Sequence, residues 1–239
     1  MTTQEFSAGM DLALNSYANR ADFGEQDSRQ TIQLDEYEKS VVLTNAQEAV
    51  ILSLYNGRNS SGNSLESTEE LRRYLSPLIE ERELSPITVS NFKGMDSSSK
   101  VFALPDNLWF ITYESLIISN GKCESMTTMD VIPVRQDEYQ KLRKNPFRGA
   151  NDRRALRLDL KDNKVEIVCK YDISTYYVRY LRKLKPIILT DLDDQVIGGL
   201  STVTECEVHE SLHQRILELA VQMALQSRGY TREQNNNRE

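Results

Sequence analysis

The sequence is poor in the residue types that build disulfide frameworks and metal sites. Its 239 residues include only three cysteines and two histidines. Cys123, Cys169 and Cys206 are widely spaced and odd in number, so they fit a reducing compartment and small buried side chains better than disulfides. No apolar run approaches the length of a membrane span, and the first residues lack the basic and apolar regions of a signal peptide. We therefore expect no membrane association.

Motifs for nucleotide binding and nucleophilic catalysis are also missing. Neither Gly-x-Gly-x-x-Gly, nor a phosphate loop, nor Gly-x-Ser-x-Gly occurs in the chain. The formal net charge of −7 argues against a protein that grips nucleic acid, because such a protein needs a basic stripe. The hydrophobic content of 39% is sufficient for a core in one large domain or two small ones.

Helical spacing of apolar residues is found at both ends of the chain. A first helix is predicted over residues 3–19, and its apolar face consists of Phe6, Met10, Ala13, Leu14 and Tyr17. Capping boxes formed by Thr44 with Gln47 and by Ser67 with Glu70 predict the starts of the next two helices, the first of them at Asn45. A last helix is predicted from about Glu207 to Ser227, with an apolar stripe that should be core. The residues of this stripe are Leu212, Ile216, Leu219, Ala220 and Met223.

The middle of the chain indicates antiparallel strands. Asn120-Gly121 is a strong hairpin signal, and apolar stretches flank it. A second hairpin with one buried face is predicted around the Asp162-Asn163 turn, because apolar and polar residues alternate on both sides of it. A short helix before Pro146 interrupts the two hairpins, and the segment before Pro186 is extended.

These elements predict an α+β fold, with a helical bundle made from the N- and C-terminal helices and an antiparallel β-hairpin lobe. Residues 1–84 form the N-terminal helical part in this prediction. Residues 85–200 form the β lobe with its short inserted helix, and residues 201–239 supply the last helix and a polar tail. Residues 20–33 are predicted to be a polar linker.

One short motif requires a choice between enzyme and structural protein. Residues 206–213, CEVHESLH, contain the pattern His-Glu-x-x-His, which on a helix binds zinc and supplies a general base. His209, Glu210 and His213 would then serve a zinc-dependent hydrolase. Because the chain has no other histidine, the third ligand would have to be a carboxylate. The downstream candidates are Glu218, Glu233 and Glu239.

A structural interpretation fits this motif better. Glu207 and Glu210 lie in the first turn of the predicted helix, where negative charge interacts favourably with the helix dipole. His213 is then a polar residue beside the apolar stripe, while Glu218 points elsewhere on the same helix and the later glutamates lie in the polar tail. We therefore predict no catalytic, cofactor-binding or metal site, and keep the zinc hydrolase as the alternative.

Two charged clusters remain. Asp191, Asp193 and Asp194 could suggest a cation site, but they lack the glycine and the terminal glutamate of a calcium loop, which favours a solvated turn. The basic stretches RRALRLDLK and YLRKLK could contact phosphate or an acidic partner. Charged outward faces of hairpins account for them equally well.

Five stretches carry a family resemblance when they are taken together and in order. They are LDEYEKSVVLTNAQEAVI, TEELRRYLSPLIEE, VIPVRQDEYQKLRKNPFRGA, YYVRYLRKLKPIIL and ECEVHESLHQRILELAVQMAL. In this order they resemble the virion structural proteins of crAss-like and related Bacteroides-infecting tailed phages, and most closely the ring proteins that connect portal to tail. The resemblance covers most of the chain. In similar proteins proline often replaces His209, which suits a first helical turn and not a metal ligand.

The resemblance implies a ring of identical subunits, with twelve as the expected number. It implies the portal protein and other tail ring proteins as partners, double-stranded DNA passing through the lumen without sequence-specific binding, and no cofactor or catalytic residue. The expected location is the virion, after synthesis in the cytoplasm of the bacterial host. An acidic surface suits such a lumen, because like charge prevents the protein from gripping the phosphate backbone.

Overall fold

The computed structural model describes residues 1–20, 32–57, 67–89, 94, 98–119 and 127–228. Within these ranges the chain is a mixed α+β protein with five α-helices and a seven-stranded sheet. The helices are α1 (Thr3–Arg20), α2 (Glu36–Tyr55), α3 (Glu69–Leu75), α4 (Gln136–Arg143) and α5 (His213–Ser227). The strands are β1 (Ile79–Leu84), β2 (Lys100–Ala103), β3 (Leu108–Ser119), β4 (Thr127–Pro133), β5 (Arg154–Asp159), β6 (Lys164–Val168) and β7 (Asp172–Arg182). Short 3-10 turns, Ser76–Leu78 and Glu210–Leu212, precede β1 and α5.

The chain divides into two compact units. The helical unit consists of residues 1–78 and 184–239, and the sheet unit consists of residues 79–183. The helical unit therefore combines both ends of the chain. None of the described helices is both long and apolar enough to cross a membrane. Most of the predicted linker, the Asn120-Gly121 turn and the polar tail lie outside the described residues.

Helix α5 packs against both α1 and α2 in the helical unit. Helix α1 buries Phe6, Met10 and Leu14, which lie four residues apart and so share one face, as the sequence predicts. At Gly9 on α1 an added Cβ would lie 2.9 Å from Leu217 Cδ2 of α5. The absence of a side chain at Gly9 therefore permits the close packing of Leu217 on α1.

The buried face of α5 differs from the predicted stripe. Leu212, Ile216 and Ala220 are buried as predicted, but Leu219 and Met223 are only half-buried. Because α5 packs against both α1 and α2, three apolar residues outside the predicted stripe are also buried. These residues are Leu217, Val221 and Leu225. The α-helix also begins at His213, later than predicted, because the preceding turn is 3-10.

Helix α2 begins well before the predicted position, and Asp35 is its N-cap. The Asp35 carboxylate accepts a hydrogen bond from Glu38 N at 2.6 Å, and the Glu38 carboxylate accepts one from Asp35 N at 3.3 Å. This is a reciprocal capping box. Thr44, predicted as the cap, lies inside the helix and donates its hydroxyl hydrogen to a carbonyl oxygen one turn earlier. In α3 the N-cap is Thr68 and not the predicted Ser67.

The sheet has the strand order β1-β7-β3-β4-β5-β6-β2. Strands β4 and β5 pair in parallel, while every other neighbouring pair is antiparallel. The prediction of an antiparallel β lobe is therefore wrong at this pair. A parallel pair needs a crossover connection and cannot be joined by a tight turn. Helix α4 lies in that connection, so the short helix predicted in this region belongs to the crossover.

The sheet is curled. Its edge strands are β1 and β2, and Ile87, which follows β1, forms an antiparallel bridge with Val101 of β2. In this bridge Ile87 N donates to Val101 O at 2.7 Å, so the chain that leaves one edge reaches the other. Register shifts in the β3–β7 pairing add local bends. The curled sheet surrounds a buried core that includes Phe102, Leu116, Ile118, Val165, Ile167, Tyr176, Val178 and Tyr180.

Strands β5 and β6 are buried on both faces, although the sequence predicts one buried face for this hairpin. Val165 and Ile167 belong to the main core of the sheet. Leu156 and Leu158 belong to a second cluster, in which Tyr139 of α4 covers them. The crossover helix therefore supplies the second buried face, and a strand pattern alone does not reveal a helix packed on the other side of the sheet.

Candidate functional site

The structure separates the two histidines of the His-Glu-x-x-His pattern. His209 precedes the 3-10 turn, and its Nδ1 accepts a hydrogen bond from Ser211 N at 3.3 Å. The His209 ring packs against Tyr74, with ring centroids 5.2 Å apart. His213 is the first residue of α5. The pattern therefore spans the start of the helix and does not lie along one helical face, as a zinc-binding helix requires.

His213 is buried and has polar contacts at both ring nitrogens. Its Nε2 lies 2.8 Å from Val208 O, and because a carbonyl oxygen can only accept, Nε2 carries the proton. Nδ1 is then the acceptor and lies 2.6 Å from the amino nitrogen of Met1. The ring also packs against Phe6, at a centroid distance of 5.5 Å. Burial lowers the pKa of His213, which favours the neutral ring. His213 therefore has a structural role between α1 and α5.

The acidic residues of the motif do not complete a metal site. Glu210 and Glu218 are exposed, and Glu218 accepts a hydrogen bond from the Gln214 side chain at 3.1 Å. Glu233 and Glu239 lie outside the described residues. In the part of the chain that the structure describes, no three His, Cys, Asp or Glu side chains are grouped so that they could hold a metal ion.

The acidic loop after β7 has a local structural role. The Asp191 carboxylate accepts a hydrogen bond from Val203 N at 2.8 Å and so joins two parts of the loop. Asp193 and Asp194 are exposed. This arrangement is typical of a solvated turn, which is the interpretation that the sequence favours.

The basic stretch RRALRLDLK does not form one exposed face, because the Arg157 side chain is only 11% exposed. Its Nη1 lies 2.8 Å from Glu114 Oε1, and the Tyr176 hydroxyl donates to Glu114 Oε2 at 2.6 Å. Arg157 Nε also lies 3.1 Å from the carboxylate of the exposed Asp159. Burial raises the pKa of Glu114 although the guanidinium opposes this effect, and burial also raises the pKa of Tyr176. Glu114 is bonded through both carboxylate oxygens, and Arg157 Nε has an ion-pair contact but no hydrogen bond, so this network stabilises the sheet core and is not an open site.

A buried lysine joins α1 to α2. Lys39 is 3% exposed. Its Nζ lies 2.8 Å from Asp11 Oδ2, 2.9 Å from Glu36 Oε1 and 3.1 Å from Ser7 Oγ. Burial alone would lower the pKa of Lys39, but the hydrogen bonds to Asp11 and Glu36 outweigh burial and raise it. The charged form is therefore stabilised by contacts with both helices.

Polar side chains of α2 form hydrogen bonds with the backbone of residues 185–189. The sequence does not predict this contact. Ser40 and Thr44 accept hydrogen bonds from the backbone N–H groups of Leu189 and Ile187, both at 3.1 Å. Gln47 donates its side-chain N–H to the carbonyl oxygen of residue 185 at 2.9 Å. The signal that could have found this ladder is the spacing of the three polar residues, which places them on one face of the helix.

An exposed aromatic residue lies at the tip of a fixed turn in the sheet unit. We call residues 145–149 the 147 turn. Phe147 is 85% exposed, the largest exposed fraction among the large apolar side chains that the structure describes. Asn145 Oδ1 accepts hydrogen bonds from Phe147 N at 2.9 Å and from Arg148 N at 3.3 Å. At Gly149 an added Cβ would lie 2.9 Å from Asn145 O, so a side chain does not fit there without movement. The backbone of the turn is therefore held in place.

A groove of about 380 Å³ lies between α2 and α5 on the helical unit, and we call it the α2–α5 groove. Ala49 and Leu219, both half-buried, supply aliphatic surface to it. Leu219 is half-buried because it lines this groove. The complete lining is Ala49, Val50, Ser53, Arg215, Glu218, Leu219 and Gln222.

Comparison with known proteins shows similarity along nearly the whole chain. The family model for phage tail ring protein 3/4 matches residues 1–237. The chain is 43% identical over 232 residues to Ring protein 3 of Bacteroides phage crAss001, which covers 95% of this chain and 96% of that protein. It is 30% identical over 234 residues to Ring protein 4/5 of the same phage, which covers 94% of this chain and 92% of that protein. Both relatives are named as ring proteins.

Proposed function

This chain belongs to the phage tail ring protein 3/4 family, and we propose that it is a non-enzymatic ring subunit that connects the portal side of the particle to the tail. Twelve copies form the ring in this proposal. The observation that carries the proposal is the alignment with Ring protein 3, which includes 95% of this chain and 96% of that relative.

The charge of the chain supports a role around a DNA channel. A formal net charge of −7 gives the subunit the same sign as the phosphate backbone, so duplex DNA can pass through the lumen without being held. The portal protein and other tail ring proteins are the partners above and below the ring. The subunit is made in the host cytoplasm and becomes part of the virion.

The division of the chain supports a subunit with two kinds of neighbour contact. In this proposal the helical unit, residues 1–78 and 184–239, supplies one contact surface, and the sheet unit, residues 79–183, supplies the other. Each part offers a different surface, as a ring built from heterologous contacts requires. A zinc hydrolase receives no comparable support, because His213 uses both ring nitrogens in contacts within the protein.

The decisive experiment is the structure and composition of purified particles. We expect the chain in the connector between portal and tail, with twelve copies in one ring that surrounds the DNA. Quantitative mass spectrometry of the same particles should give a copy number of twelve. Absence of the chain from the particles, or a position outside the portal-to-tail region, would reject the connector role.

A further inference from the structure

The two units of the chain differ strongly in formal charge. The helical unit contains 21 acidic and 11 basic residues, a net charge of −10, whereas the sheet unit contains 15 acidic and 18 basic residues, a net charge of +3. Opposite charges on two surfaces steer association and fix which surfaces meet. The sheet unit of one copy is therefore complementary in charge to the helical unit of another copy.

The excess of positive charge in the sheet unit is concentrated near the 147 turn. Five basic residues within the range 141–153 are exposed there, and Asp152 is the one acidic residue in this range. Asp152 is paired with Lys170, at 3.3 Å. The exposed basic residues are Lys141, Arg143, Lys144, Arg148 and Arg153. Phe147 is thus an apolar side chain within a basic surface.

The 147 turn has the properties of a binding anchor. Aromatic side chains are enriched in the cores of protein interfaces, where they fill pockets of the partner. Because Asn145 already fixes the backbone on both sides of Phe147, binding would not have to order the turn. Preorganisation of this kind lowers the entropic cost of association. A fitting partner surface is acidic and has a recess with aliphatic walls.

The helical unit has a recess of this kind. The α2–α5 groove has aliphatic surface from Ala49 and Leu219 and one charged side chain of each sign, Arg215 and Glu218, while the unit that contains it has a net charge of −10. We propose that Phe147 of one subunit inserts into the α2–α5 groove of a second copy of this chain. This inference rests on the proposed ring and specifies one of its subunit contacts. We call Phe147 the knob of this contact. Since the knob and the groove lie on different surfaces of the subunit, the contact is head-to-tail and can close into a ring.

The test uses two full-length variants that each disable one side of the contact. Phe147→Glu places a negative charge on the knob, and Ser53→Arg places bulk and positive charge in the groove. Sedimentation velocity of the wild-type chain should show self-association that increases with concentration. Each variant alone should associate about 30-fold more weakly, which is the loss expected for an interface hot spot of about 2 kcal/mol. Leu12→Glu, on α1 and 74% exposed in the wild type, is the matched control and should not change association.

A mixture of the two variants distinguishes this contact from a general loss of association. Phe147→Glu retains an intact groove and Ser53→Arg retains an intact knob, so the mixture should form pairs and no larger species. Wild-type chain that stays monomeric, or a Phe147→Glu variant that associates like the Leu12→Glu control, would overturn the contact. If the chain still forms twelvefold rings in particles, the proposed function survives that result. A variant that loses binding to a short DNA duplex but keeps self-association would assign the 147 turn to nucleic acid and overturn the inference.

Discussion

Breaking the ion pair between Arg157 and Glu114 should destabilise the sheet unit strongly. Arg157→Met removes the guanidinium but keeps a long apolar side chain, so the Glu114 carboxylate stays buried with the Tyr176 hydroxyl as its hydrogen-bond donor. Glu114 is 9% exposed, and the Arg157 side chain is 11% exposed. Removing one partner of a buried pair costs about 3–5 kcal/mol, because the other charge is left uncompensated. We expect a loss in this range at neutral pH.

A second substitution should reverse part of this loss. Glu114→Gln in the Arg157→Met background removes the buried charge, and the glutamine oxygen can still accept the hydrogen bond from Tyr176. The double variant should therefore be more stable than Arg157→Met alone. If Arg157 and Glu114 stabilised the fold independently, the losses from the two substitutions would add, and the double variant would be less stable than Arg157→Met.

The cost of Arg157→Met should also depend on pH. Burial raises the pKa of Glu114 in the wild type, and removing the opposing guanidinium raises this pKa further. A carboxyl with a folded-state pKa above its unfolded value of about 4.3 binds its proton more tightly in the folded state. Its contribution to stability is present below the unfolded pKa and is lost as pH rises through the folded pKa. Arg157→Met should thus be less destabilising at about pH 5 than at about pH 8, and the double variant should lack this dependence.

Urea unfolding followed by tryptophan fluorescence is the suitable measurement. Trp109 is the one tryptophan of the chain and lies on β3, so its signal reports the unfolding of the sheet unit. The reasoning would be refuted if Arg157→Met matched the wild type at about pH 8. It would also be refuted if the double variant lost as much stability as the two single variants combined.

Further predictions concern the helical unit and the histidine motif. Ile216→Ala should lower the free energy of unfolding by about 2–5 kcal/mol because Ile216 is fully buried, whereas Leu219→Ala should lower it clearly less. Thermal melts followed by circular dichroism measure both, and the opposite ranking of the two variants would contradict the buried face of α5. Asp35→Ala should cost about 1 kcal/mol in the same assay through loss of the N-cap, and an unchanged melt would contradict the cap. Elemental analysis should find no stoichiometric zinc, and one zinc per chain that disappears in His209→Ala would contradict the structural role of the motif.

The sequence was most informative where a few neighbouring residues decide the structure. The face of α1 follows from the four-residue spacing of Phe6, Met10 and Leu14, which any helix would bring together. The turn between β5 and β6 follows from Asp162-Asn163, because both residues have positive φ (61° and 51°), a conformation that Asn and Asp tolerate better than most residues. Both features need no partner distant in sequence.

The sequence-based predictions were wrong where contacts between segments distant in sequence determine the structure. Arg157 alternates with leucines in β5 and therefore looks like an exposed residue of a half-buried strand. In the structure it is largely shielded from solvent, and Glu114, 43 residues earlier in the chain, supplies its counter-charge within the curled sheet. Likewise, the second buried face of β5 and β6 depends on Tyr139 of the crossover helix. Periodicity within a strand contains no information about either partner.

The start of α2 shows how a tertiary contact outweighs a local signal. Two capping boxes compete in the sequence, one at Asp35 and one at Thr44, and a cap requires the side chain to turn back onto its own backbone. The Thr44 hydroxyl instead accepts a hydrogen bond from Ile187 N, and Gln47 donates to a carbonyl oxygen in the same segment. Asp35 has no such competing contact among the described residues and caps the helix through Glu38. The helix therefore continues through Thr44, because the residues that could have started it there are used to bind a segment more than a hundred residues away.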